Sequence, residues 1–167
     1  LTEDAKIISA VNTIEFRGDK LIGHNTDTIG FRKSITPILR NRKKALILGS
    51  GGSSKAVKHA LEILNIEYMI ISRNTTCSYK DMTSEFINYY DIIINTTPLG
   101  MFPDIKEYPR IPFQFLGKKH LLFDLIYNPE ETLFLKQGKA QGCSIKNGLE
   151  MLKIQAEESW NIWTNKQ

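Results

Sequence analysis

Between residues 45 and 148, short unbroken apolar runs alternate with segments whose apolar positions recur every three or four residues. That alternation is the pattern of parallel strands covered on both faces and joined by crossover helices. Ala45-Leu46-Ile47-Leu48 is the first run; it stops at Gly49, and a helix is predicted from Ala56, Val57, Ala60, Leu61 and Leu64. Strand-like runs recur at residues 68–71, 92–94 and 121–125, each separated by a segment able to hold a crossover helix or a long loop. Right-handed βαβ units are the economical topology. The predicted class is therefore α/β, a Rossmann-like doubly wound parallel sheet. The flanks read differently. Residues 10–16 and 21–24 form a predicted hairpin around Arg17-Gly18-Asp19-Lys20. Asn25-Thr26-Asp27 then offers three N-cap side chains for a helix carrying Ile29, Ile35, Ile38 and Leu39, with a kink at Pro37. The chain ends in a helix whose Leu149, Leu152, Ala156, Trp160 and Trp163 make one apolar stripe that needs a partner surface.

Composition narrows the function classes. The 167 residues carry a net charge of +4 and are 41% hydrophobic and 24% charged, as in an average folded domain. No apolar run approaches the roughly 18 to 20 residues of a membrane span, and no signal-peptide pattern is present, so the default compartment is the cytoplasm. The positive charges are scattered apart from Arg40-Asn41-Arg42-Lys43-Lys44, too short a cluster for a nucleic-acid surface but compatible with an anionic small ligand. Cys77 and Cys143 stand alone, which argues against a zinc site or a disulfide framework and leaves reduced structural thiols. His24, His59 and His120 are isolated and read as structural or exposed, with His24 a distant candidate for a cleft; no metal site is expected.

The best-founded chemical motif is Gly49-Ser50-Gly51-Gly52-Ser53-Ser54-Lys55, between an apolar strand and a helix. Glycines there let the backbone turn sharply and approach a pyrophosphate, whose charge the N–H groups of a helix N-terminus stabilise. The competing reading is a tight turn with Ser53 or Ser54 as N-cap. Some 20 residues further on, where a carboxylate would select NAD, the chain has Ser72-Arg73-Asn74, and a guanidinium there favours the 2′-phosphate of NADP unless Arg73 is simply a solvated surface residue. Asn95-Thr96-Thr97-Pro98-Leu99-Gly100-Met101 follows a strand end and points toward the same crevice, or is a plain Pro-Gly loop. Asp27 sits at the junction of hairpin and α/β unit, a common place for an active cleft, with helix capping as its alternative role. Tyr127 and Asn128 follow another strand end, and Gly148, Met151, Leu152 and Gln155 share one face of the last helix.

Together these segments resemble the shikimate dehydrogenase family. The matching stretches, in family order, are Ala10-Val11-Asn12-Thr13, Asn25-Thr26-Asp27 with Gly30-Phe31, the glycine loop, Asn95-Thr96-Thr97-Pro98-Leu99-Gly100-Met101, Asp124-Leu125-Ile126-Tyr127-Asn128-Pro129, and Asn147-Gly148-Leu149-Glu150-Met151-Leu152 with Gln155. The resemblance implies NADPH-dependent, reversible reduction of 3-dehydroshikimate to shikimate in aromatic amino-acid biosynthesis. It implies substrate contacts from Asn12, Asp27, Tyr127 and Gln155, with Asp27 also a catalytic partner in proton transfer. It implies a pyrophosphate site at Gly49, Ser50, Gly51, Gly52 and Ser53, a 2′-phosphate site at Ser72 and Arg73, and a nicotinamide site at Leu125 and Gly148. By that reading residues 1–25 end a substrate-binding lobe, 26–145 form the NADP-binding domain, and 146–167 return to the lobe. Leu1 then reads as a truncation mark, and a family lysine that partners the aspartate would lie upstream. A second basic residue usual in the family shortly after the one matching Arg73 is replaced by Cys77, with Lys80 further on. The expected activity of the chain alone is weak or absent. Two alternatives stay open: a non-catalytic NADP-binding module, and a quinate/shikimate dehydrogenase that accepts NAD.

Overall fold

The strands beginning at Lys44, Glu67, Ile92 and Leu121 are almost wholly apolar, and a strand of that kind is stable only with both faces covered. The computed structural model, which describes residues 1–72, 79 and 82–164, meets that requirement. In chain order the elements are α1 (Glu3–Ile8), β1 (Thr13–Arg17), β2 (Lys20–His24), α2 (Asp27–Ile35), β3 (Lys44–Leu48), α3 (Gly52–Ile63), β4 (Glu67–Ile71), α4 (Ser84–Tyr89), β5 (Ile92–Asn95), β6 (Leu121–Asp124), α5 (Leu133–Ala140), β7 (Ser144–Lys146) and α6 (Leu149–Trp163). β3 to β7 form one parallel sheet in the order β4-β3-β5-β6-β7, and β1 and β2 form a separate antiparallel hairpin. The α/β Rossmann-like class read from the sequence is the observed one.

Alternate side chains divide the core. Ala45, Ile47, Ile92, Ile94, Leu121 and Phe123 face Phe31 and Ile35 of α2, Val57, Ala60 and Leu61 of α3, and Met151 of α6. Leu46, Leu48, Ile93 and Leu122 face Ile87 of α4 and Phe134 and Leu135 of α5. Phe31 and Phe123, both fully buried, meet edge to face with ring centroids 5.0 Å apart.

The structure corrects the sequence reading in several places. A short helix, α1, precedes the hairpin, capped by the Thr2 hydroxyl, which accepts from the Ala5 N–H. With only Ala5 and Ile8 buried it is too short to show a period. The first strand starts at Thr13, not residue 10. α2 stops at Ile35, and Ile38 lies in a 3-10 turn whose early Pro37 ends the helix instead of kinking it. β7 escapes detection because it is three residues long and none of them is buried. β5 reaches β6 through a long loop with one 3-10 turn at Phe113–Phe115. On α6, Trp160 and Trp163 of the stripe are 59% and 55% exposed, while Met151 and Ser159 are buried. No helix among the described residues is long and apolar enough to cross a membrane.

Phe31 ties α2 to the sheet, so Phe31→Ala is expected to cost about 3–5 kcal/mol in urea unfolding through lost burial and the cavity left behind. A loss under about 1 kcal/mol would show that α2 is not anchored through this ring.

Candidate active site

Sheet order reverses at β3, which has β4 on one side and β5 on the other, and ligands of open α/β sheets bind beyond the carboxyl ends of strands at such a reversal. The chain leaves β3 through Gly49 at φ +114°, where a Cβ would fall 2.6 Å from Thr96 Oγ1. Only glycine fits that turn. The loop after β5 is tied down beside it, the Thr96 N–H and hydroxyl both donating to the Leu48 carbonyl at 2.9 and 2.7 Å. Gly51 is the N-cap of α3 and makes no side-chain cap bond, so neither Ser53 nor Ser54 caps the helix. A Cβ at Gly51 or Gly52 would meet nothing within 4 Å, and no acidic side chain occupies the first turn. Unpaired N–H groups and open space at a helix N-terminus suit an anion, and on that ground the loop fits a pyrophosphate. Ser54, at the third glycine position of the fingerprint, is buried, and its hydroxyl has no partner among the described residues.

A cleft of about 480 Å³ opens at these strand ends, lined by Ser53, Thr96, Thr97, Met101, Leu125 and Tyr127 among others. An adjoining cleft of about 260 Å³ shares Ser53, Leu125 and Tyr127 and is completed by Asn12, Asp27, Gly148, Met151, Leu152 and Gln155. Gly148 opens α6 so close to the β6 loop that a Cβ would lie 1.9 Å from the Leu125 carbonyl oxygen.

The polar end of the second cleft is organised by Asn12. Its Oδ1 accepts from the Thr26 N–H at 2.9 Å and from the Thr13 hydroxyl at 3.1 Å, and its Nδ2 donates to Asp27 Oδ1 at 2.9 Å. The Thr26 hydroxyl donates to Gln155 Oε1 at 3.2 Å. Ser159 closes the network, its hydroxyl 2.7 Å from that of Thr13 and 3.1 Å from that of Thr26. Asp27 therefore does not cap its helix. Its backbone N–H donates to Asn25 Oδ1, and its carboxylate turns to Asn12. Burial raises the Asp27 carboxyl above its ordinary pKa, and the hydrogen bond from Asn12 opposes that rise.

Of the residues singled out in the sequence, Asn12, Asp27, Tyr127, Gln155, Ser53, Leu125 and Gly148 line one cleft. Gly49, Ser50, Gly51 and Gly52 lie at the end of β3, and Ser72 at the end of neighbouring β4. Arg73, Cys77 and Lys80 fall outside the described residues. His24 is not in the cleft: its Nε2 sits 2.9 Å from Glu15 Oε2 on the hairpin. Cys143 is free and buried, its thiol pushed up to about 11 by burial, which makes it a structural group. Sequence reasoning missed Thr26, Ser159 and Asp124 as organisers of the site, because their partners are remote in the chain or in the following loop.

No family model matches the chain. It is 43% identical over 98% of its length to the NADP(+) shikimate dehydrogenase of Methanococcus aeolicus, of which it spans 66%. The chain belongs to the shikimate dehydrogenase family. Among solved members and neighbours, the shikimate 5-dehydrogenase of Thermus thermophilus, determined with NADP(H) and shikimate, is 29% identical and superposes with a TM-score of 0.85, this chain covering 66% of it. The quinate dehydrogenase of Corynebacterium glutamicum, determined with NAD, is 26% identical with a TM-score of 0.86, again with 66% covered. The chain thus spans slightly under two thirds of the length of the family members it matches.

Asn12→Ala is expected to raise the pKa of Asp27 further, since it removes a donor that favours the carboxylate. Carboxyl-carbon NMR titration reads the shift directly. An unchanged or lowered value would mean that Asn12 does not control Asp27.

Proposed function

We propose that the chain is the cofactor-binding portion of a cytoplasmic shikimate dehydrogenase, the enzyme that reversibly reduces 3-dehydroshikimate to shikimate with NADPH. The observation that carries this reading is the cleft in which the Asn12–Asp27 pair, Gln155 and Tyr127 stand together beside Ser53 and the start of α3. NADPH, when bound, supplies the hydride. Gly49, Ser50, Gly51, Gly52 and Ser53 hold its pyrophosphate, Ser72 and Arg73 its 2′-phosphate, and Leu125 and Gly148 flank its nicotinamide end. Asn12, Tyr127 and Gln155 orient the substrate. Asp27, with Oδ1 fixed by Asn12, accepts a hydrogen bond from the hydroxyl at the reacting carbon and assists movement of its proton, a role suited to a carboxylate whose pKa is raised by burial. Residues 1–25 end the substrate-binding lobe, residues 26–145 are the NADP-binding domain, and residues 146–167 return to the lobe. On this reading turnover by the chain alone is weak or absent.

A second reading, a quinate/shikimate dehydrogenase that accepts NAD, is favoured by the likeness to the NAD-bound quinate dehydrogenase. Arg73→Ala separates the two. It weakens NADPH and spares NADH if Arg73 holds the 2′-phosphate, and changes neither if the enzyme uses NAD. The main reading is tested by joining the chain to the part of the Methanococcus aeolicus relative that it does not span and assaying 3-dehydroshikimate with NADPH. Turnover is expected, falling by about 10² to 10⁴ in Asp27→Asn with the melting temperature unchanged. Cofactor binding without turnover, or undiminished turnover in Asp27→Asn, would leave a non-catalytic NADP module or a different catalytic group.

A further inference from the structure

β5 and β6 end on residues that face each other across the two parallel strands, Asn95 and Asp124, both fully buried. Each side chain reaches forward into the loop that follows its strand. Asn95 Oδ1 accepts from the Thr97 N–H at 3.0 Å and the Thr97 hydroxyl at 2.7 Å. Asp124 Oδ1 accepts from the Ile126 N–H at 3.1 Å, and its Oδ2 accepts from the Thr132 hydroxyl at 2.6 Å. Between them, Asn95 Nδ2 donates to Asp124 Oδ1 at 3.0 Å. One pair of side chains therefore sets the course of two loops at once. Thr96, Thr97 and Pro98 of one loop and Leu125, Ile126 and Tyr127 of the other line the larger cleft, while Asn95 and Asp124 are not part of its lining.

The link is costly. Burial pushes the Asp124 carboxyl up to about 6 despite its three donors, and a well-packed apolar pair at such a site is commonly no less stable than a buried charged one. What an apolar pair could not do is hold the Thr97 and Ile126 amides in a fixed spacing. We propose that Asp124 is a positioning residue which, through Asn95, fixes the two cleft loops that receive the nicotinamide half of the cofactor and leaves the adenosine half untouched. The inference rests on the cofactor reading given above.

Binding to the chain of NADPH and of adenosine 2′,5′-bisphosphate, which lacks the nicotinamide half, separates positioning from stability. Asp124→Ala is expected to weaken NADPH roughly tenfold, the size of about one lost hydrogen bond to a charged group, and to leave the bisphosphate unchanged. Asp124→Asn restores NADPH affinity, because its amide oxygen still accepts from Asn95 and Ile126 while its NH₂ donates to the Thr132 hydroxyl. Should Asp124→Ala fail to fold, Asn95→Ser, whose shorter side chain drops the bond to Asp124, is expected to show the same split. Equal losses for both ligands, no loss for either, or failure of both variants to fold would overturn the proposal and leave the pair a purely structural lock. Failure of the unmodified chain to bind either ligand would instead overturn the cofactor reading, and the proposal with it.

Discussion

Helix α6 can return to the sheet only because residue 148 has no side chain: a Cβ there would lie 1.9 Å from the Leu125 carbonyl oxygen. That close approach begins the helix directly against the loop after β6. From this start the helix runs along α2, buries Met151 in the core shared with Phe31 and Phe123, and carries Gln155 to the Thr26 hydroxyl. At its far end Ser159 meets Thr13, and the Trp163 indole donates to the Ile14 carbonyl of the hairpin. One helix thus joins the parallel sheet to the hairpin, and the cleft lies where its first turns pass between them.

Polar groups around the cleft are arranged so that each buried donor or acceptor serves a position. Asn12 satisfies the Thr26 N–H, one of the orphan donors where α2 begins, and with its other end fixes Asp27. Asn95 and Asp124 do the same for two loops at the other side of the crevice. Thr26 and Ser159 link the helices by hydroxyls, which hold a register that apolar contacts alone leave free to slide. The glycine loop is the exception. Among the described residues no side chain caps the start of α3, and the space at Gly51 and Gly52 is open, which suits an anion.

Much of this was legible in the sequence where a signal is local. The run of residues 45–48 followed by Gly49 announced strand, turn and helix together, and the Asn-Thr-Thr-Pro segment announced a loop at a strand end. Signals that depend on partners were not legible. The bond from Asn12 to Asp27 exists because the turn pairs Arg17 with Lys20 and so brings Thr13 opposite His24, setting Asn12 beside the start of α2. On α6 the apolar spacing found the helix, but the contacts it makes within the chain were not legible. Its contact with α2 and the hairpin uses Met151, the small polar Ser159 and the Trp163 indole, while Trp160 is exposed. α1 and β7 were missed because six and three residues cannot display a period.

The central claim is that the crevice at the carboxyl ends of the sheet receives a phosphorylated dinucleotide. Amide NMR shifts recorded as NADP⁺ is added test it most directly. The account predicts that the largest changes fall on Gly51, Gly52, Ser53, Thr97 and Ile126, with Arg42, His120 and Ser144 at the amino ends of the strands unmoved. Changes clustered at those amino ends, or none anywhere at saturating cofactor, would contradict it.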